Sequence, residues 1–274
     1  MKNSIIAALV SALSVICMSG CGESAGMMFE NVGDSISYRL DSTAGSASPT
    51  LSIKIDMQFA KTDTEDELAK KAAETINTNI ENEVFSMSGM PEEVVDSFIK
   101  SSTELYAQTM FPLYAEDKQK GATMASAYDN YHNISGKAVE GHSGIINYMV
   151  TEEMYNGGAH PVSVTTYLNF NRETGELIEL DALFKEGYKE KLDDILLKAL
   201  MKQCGAKNVK ELNDAGYLCF TDMYASSNFL LKEDEIEFYY NVYEIAPYVM
   251  GPTVLNIKYE EIKDLMIDNS KDFK

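Results

Sequence analysis

"GIINYMVTEEMYNGGAHPVSVTTYLNF", residues 144–170, sets two β-rich runs on either side of a glycine pair. In the second run Val162, Val164, Thr166, Leu168 and Phe170 alternate with Ser163, Thr165, Tyr167 and Asn169. A period of two puts these sets on opposite faces of a strand, and "NGGAH" (156–160) is the kind of breaker that joins antiparallel neighbours. Upstream, "AYDNYHNISGKAVEG" (127–141) reads as a further strand, entering through "HSG" (142–144). Downstream, "NRETGEL" (171–177) reads as a tight turn with Gly175 at a position that needs positive φ.

The rest of the chain mixes helix and strand. "LSIKIDMQF" (51–59) places Leu51, Ile53, Ile55, Met57 and Phe59 on one face, and "SISYRL" (35–40) is its expected partner. "TEDELAKKAAETINTNIENEVF" (64–85) repeats Leu68, Ala72, Ile76, Ile80 and Val84 every four residues, with Thr64 and Glu67 at capping-box spacing. A second helix opens on Pro91 and turns Val94 or Val95, Phe98, Leu105 and Met110 to a core. A third, in "YKEKLDDILLKALMKQC" (188–204), carries Leu192, Ile195, Leu196, Ala199 and Leu200. The chain ends in a hairpin, "NFLLKEDEIEFYY" (228–240), and a strand running into a short helix, "PTVLNIKYEEI" (252–262). The expected class is α+β: an N-terminal strand hairpin with helices, then a C-terminal antiparallel sheet with packed helices. The expected division is a leader at 1–20, a flexible tether at 21–34, an N-terminal domain at 35–120 and a C-terminal domain at 127–274.

The first twenty residues read as a bacterial lipoprotein signal. Lys2 precedes the apolar run from Ile5 to Met18, which is too short to span a bilayer, and "MSGC" closes it at Cys21. Cleavage there would leave Cys21 to carry the lipid, anchoring the chain in the envelope on the periplasmic or surface-facing side. The 274 residues hold 43 acids against 23 lysines and arginines, a net charge of −20, and loss of Lys2 takes it to −21. Phosphate backbones need a basic footprint, so nucleic acid is excluded and a basic partner is favoured. Cys204 and Cys219, fifteen positions apart in an oxidising compartment, could close one local disulfide worth about 3 kcal/mol or stay apart as free thiols, a choice that spacing does not settle.

Motif chemistry is sparse. The three histidines, His132, His142 and His160, have no partners at metal-ligand spacing. No nucleophile elbow, P-loop or dinucleotide fingerprint occurs, so no cofactor and no metal are expected. The 16 tyrosines are more informative: a ring with an apolar face and a polar tip suits protein and sugar surfaces. "NVYEIAPYVMGP" (241–252), a loop that two prolines and a glycine hold between strands, carries Tyr243, Glu244 and Tyr248.

Several of these stretches together resemble a known pair of extracytoplasmic domains. They are the Y-x-G-G-A-H loop at 155–160, the T-x-Y-L-N-F strand at 165–170, the T-G-x-L turn at 174–177 and the L-x-x-L-F exit at 180–184. The F-Y-x-N-x-Y-E-I-A-P-Y loop at 238–248 completes the set. Residues 127–265 are similar to the C-terminal domain found in RsiV-type anti-sigma factors and PdaC-type peptidoglycan deacetylases; residues 35–115 match the N-terminal domain only in pattern. The resemblance implies a C-terminal domain like a piece of the heat-shock-cognate ATPase fold without nucleotide chemistry, and, from the anti-sigma relatives, binding of the basic protein lysozyme. The sequence shows neither the relatives' transmembrane and sigma-binding segments nor the deacetylase domain with its metal site, so neither activity is implied. The expected function is a non-catalytic, lipid-anchored envelope binding protein for a lysozyme-like protein or peptidoglycan, through Tyr155, Asn156, Gly157, Gly158, His160, Tyr243, Glu244 and Tyr248. The alternatives are an envelope polysaccharide-processing enzyme with an unlocated carboxylate pair, and a structural or assembly lipoprotein.

Overall fold

The computed structural model describes residues 27–267 apart from 122, 123, 140 and 143, together with the backbone of residues 16 and 17. The remainder of the expected leader, with Cys21, lies outside the described residues. Two sheets organise the chain. The larger has six strands in sequence order: β1 (Ile16–Cys17), β2 (Met28–Arg39), β3 (Thr50–Ala60), β4 (Asn130–Val139), β5 (Ile145–Tyr155) and β6 (Val162–Asn171). All neighbours are antiparallel except β3 and β4, which run parallel. That parallel step needs a long crossover. It is supplied by α1 (Glu67–Phe85) and α2 (Pro91–Gln119).

The smaller sheet is antiparallel, with β7 (Phe229–Leu231), β8 (Glu235–Tyr240) and β9 (Thr253–Lys258) in that order. It is reached through α3 (Leu180–Leu183), α4 (Lys189–Cys204) and α5 (Val209–Asp214), and followed by α6 (Tyr259–Ile262). The protein is therefore α+β, as the periodicities indicate. The division expected between residues 120 and 127 falls between β3 and β4, which are hydrogen-bonded neighbours from Leu51↔Asn130 to Met57↔Gly136.

Two apolar clusters hold the layers. One packs Ile53, Ile55, Met57 and Phe59 of β3 with Ile76 and Ile80 of α1, Val94 and Val95 of α2, and Ile134, Tyr148 and Phe170 of β4 to β6. The other joins Leu192, Leu196 and Leu200 of α4 to Leu231, Ile236, Phe238, Tyr240, Leu255 and Ile257 of the small sheet. Three local expectations change. Asp66 rather than Thr64 caps α1, accepting from the amides of Leu68 and Ala69, because it stands at the residue where helical backbone begins. Leu68, in the first turn of α1, and Leu105, one position off the face of α2 that buries Ile99, Tyr106 and Tyr114, are exposed. Met28 to Asp34 belong to β2 and not to a tether, for their backbone pairs with Ile55 to Ala60.

Polar side chains, of which Asn147 and Asn169 are buried, join the two sheets. On the outer edge of β6, the Asn241 amide accepts from Thr165 N at 2.8 Å and donates to Thr165 O at 3.0 Å. Asn228 accepts from Tyr167 N and donates to Thr165 O, each at 2.7 Å. Asn169, 1% exposed, donates to Phe229 O at 2.8 Å and accepts from Leu231 N at 3.0 Å. Asn147 donates to Leu231 O at 2.7 Å. Asparagine amides thus satisfy main-chain groups that a further strand would otherwise pair.

Glu81 on α1 is 1% exposed; one carboxylate oxygen accepts from Gly89 N at 3.1 Å, and Oε1 has no partner among the described residues. Burial pushes its pKa up. A raised folded-state pKa means the carboxyl contributes most below the ordinary glutamate range, and that contribution is lost as pH rises through the folded value. Glu81→Gln is therefore expected to gain about 1–3 kcal/mol over the native chain between pH 4 and pH 8, the scale of one unpaired buried polar atom. Urea titrations at the two pH values would show it, and an equal difference at both would contradict it.

Candidate functional site

Two loops meet at one end of the molecule: residues 156–161 between β5 and β6, and residues 241–252 between β8 and β9. In the first, Gly157 and Gly158 have φ of +88° and +108°, backbone that a side chain rarely tolerates. Tyr155 donates its hydroxyl to Gly158 O at 2.9 Å and stacks on Tyr131, ring centroids 6.1 Å apart. Asn156, exposed, accepts from Asn130 Nδ2 at 3.3 Å.

The second loop folds on itself through Tyr243 N to Ala246 O at 3.1 Å. Tyr243 has φ of +72°, unusual for a bulky residue, and remains 60% exposed. The two loops lock through aromatic rings. His160 lies on Tyr248, centroids 3.8 Å apart and planes 18° from parallel. Tyr243 packs against Tyr248 at 5.7 Å, and its hydroxyl is 3.4 Å from His160 Nε2. Tyr248 in turn donates to Pro161 O at 3.0 Å, tying one loop to the other's backbone. His160 Nδ1 sits 3.1 Å from the same carbonyl. Beyond this stack, Val249 and Met250 are exposed.

The structure brings His160, Tyr243 and Tyr248 together, with Tyr155, Asn156 and the two glycines in the adjoining loop. Glu244 departs from the group: it is half-buried and its carboxylate accepts from Tyr224 at 3.4 Å. Burial raises its pKa, partly offset by hydrogen bonds from Asn241 and Tyr224. The candidate disulfide is absent. Cys204 packs against the second core, while the exposed Cys219 directs its sulfur at the carbonyls of Asn213 and Tyr217. His132 pairs with Glu152 at 3.0 Å inside the sheet, and His142 is buried near Tyr259. Among the described residues no group of three or more histidine, cysteine, aspartate or glutamate side chains is gathered as metal ligands would be.

Two open grooves lie elsewhere, one between α4 and β9 beside Lys198 and Lys202, the other around Asp41, Phe111 and Lys118 on α2. In the latter, hydrogen bonds from Lys118 and Thr43 lower the Asp41 carboxyl to about 2. Both are ordinary surface concavities, whereas the aromatic stack projects from its sheet. Sequence reasoning missed the neighbouring segment 215–224, where Phe220 is fully exposed; in a stretch as apolar as "AGYLCFTDMY" nothing marks that ring as exposed.

Fold and surface together define a two-sheet α+β chain that presents an aromatic loop face. Residues 181–260 match the family described as "Protein of unknown function (DUF3298)". The chain is 28% identical over 148 residues to the peptidoglycan-N-acetylmuramic acid deacetylase PdaC of Bacillus subtilis (strain 168), covering 52% of this chain and 31% of that protein. The chain thus spans about a third of that curated relative. A crystal structure of a DUF3298 family member from Bacteroides fragilis superimposes with a TM-score of 0.81 at 28% identity, over 90% of this chain and 96% of that one. A second, from Pseudomonas aeruginosa PAO1, gives 0.57 at 15% identity, over 89% and 95%, and shares the fold.

Proposed function

We propose that this chain is a non-catalytic, lipid-anchored binding protein of the bacterial envelope, and that its aromatic loop face receives a basic, lysozyme-like protein. The observation that carries the reading is Tyr243: an exposed ring on strained backbone, supported from behind by Tyr248 and His160. Strain of that kind costs on the order of 1–3 kcal/mol and persists where surrounding structure enforces it, as at ligand clamps. A rigid tyrosine supplies contact area at little entropic cost, and the acidic surface would speed the approach of a basic partner. A second reading, peptidoglycan itself, is favoured by the likeness to part of a peptidoglycan deacetylase.

The test is a calorimetric titration of the full-length chain with lysozyme, and separately with muropeptides, at low and moderate salt. Lysozyme binding is expected to weaken about tenfold or more on raising salt, and by a similar factor in Tyr243→Ala and His160→Ala. Muropeptide binding alone, sensitive to the same substitutions, would select the second reading. Binding of neither ligand would discard both.

A further inference from the structure

We infer that the segment 215–224 completes the aromatic face and makes it a protein-docking surface whose outermost anchor is Phe220. The inference rests on the binding role proposed above and decides between its two ligand classes. The segment is fastened along the 241–252 loop at three points. Leu218 N donates to Ile245 O at 2.8 Å, and the Tyr224 hydroxyl donates to Glu244 at 3.4 Å. Gly216, with φ of +98°, lies against Pro247, where an added Cβ would sit 3.8 Å from the proline ring. The 241–252 loop thus touches both the histidine loop and the Phe220 segment.

Fixing this segment requires unusual backbone. Leu218 has φ of +53°, so this flank repeats what Tyr243 shows in the centre: a large residue held in left-handed backbone. Leu218 is itself buried and acts as the peg of the segment. Two residues on, Phe220 is fully exposed. Val249 at 86%, Tyr243 at 60% and Met250 at 42% are exposed on the 241–252 loop to which this segment is fastened. Large apolar side chains exposed together on two segments fastened to each other mark an interaction site, whereas residues scattered singly do not.

The chemistry selects the ligand class. Sugar subsites are concave and need polar groups beside each ring to take the hydroxyls. Phe220, Val249 and Met250 carry no hydrogen-bonding group and project from the surface, which suits pockets on a folded protein. Charge narrows the partner further. Loops 156–161, 215–224 and 241–252 contain no lysine or arginine. The exposed Asp222 adds a negative charge to the second of them, so the facing surface is expected to be basic around an apolar centre.

The test uses the full-length chain, lysozyme as the protein probe and muropeptides as the glycan probe. Because the Phe220 side chain is fully exposed, Phe220→Ser should leave the melting temperature unchanged. It is expected to weaken lysozyme binding at least tenfold, as should Val249→Ser. Lysozyme binding that Tyr248→Ala weakens but both serine variants leave unchanged would overturn this inference and keep the proposed function. Binding of muropeptides without lysozyme would overturn it as well. A native chain that binds neither probe would remove the proposed function and this inference with it.

Discussion

Asn169→Ala is expected to cost about 2–5 kcal/mol of folding stability. The side chain stands between two sheets that share no backbone ladder at that point, and its amide bonds both Phe229 O and Leu231 N. Truncation strands two buried main-chain groups at once, each carrying about 1–3 kcal/mol, and leaves a void where the amide lay. Asn169→Asp should also be costly, since a carboxylate still accepts from Leu231 N but faces Phe229 O without a proton to give. Urea unfolding followed by circular dichroism measures both. A loss below 1 kcal/mol in Asn169→Ala would mean that apolar packing alone seats the small sheet.

Gly175→Ala is the second large effect. Gly175 closes the turn after β6 with φ of +73° and rests on α1: a Cβ there would lie 2.2 Å from Ala72 O and 2.9 Å from both the Ala72 carbonyl carbon and Thr75 Cβ. Left-handed backbone costs a non-glycine residue about 1–2 kcal/mol, and overlap with a packed neighbour typically adds about 1–3. Ala72 is buried in a helix interior and cannot move aside cheaply. A loss of roughly 3 kcal/mol lowers the melting temperature by about 6–12 °C in a chain of this size. Gly187→Ala is the comparison: its φ is +78° with open space around the Cβ position, so it should show the backbone cost alone.

These two residues show what was legible in the sequence. Gly175 was, because a glycine between a threonine and a returning strand has a specific backbone task. The period of two found β3 to β6, and a repeat of four found α1. The parallel pairing of β3 with β4 was not legible. Nothing in "LSIKIDMQF" or "AYDNYHNISG" states which strands become neighbours across two helices, and the division drawn between them followed sequence distance. The asparagines were visible only as letters. Asn169 and Asn241 lie within the stretches that carry the family resemblance, and their side chains join sheets rather than face a ligand. A polar residue on the outward face of an alternating strand looks solvated until the element covering it is known. For the candidate site, the loops and three aromatic residues were legible from turn chemistry and composition. Phe220 was not, since exposure of one ring is a property of the folded surface.

The asparagine stitching also bears on how the chain is made. Thr165 leaves the ribosome 76 residues before Asn241, whose side chain completes its edge. For that stretch of synthesis β6 is a sheet margin with free amides and carbonyls, able to pair with another nascent copy. A chain halted before Asn228 has no means of closing that margin. Such fragments are expected to form intermolecular sheet, so holding the chain unfolded until its last strands have been made would protect it during biogenesis.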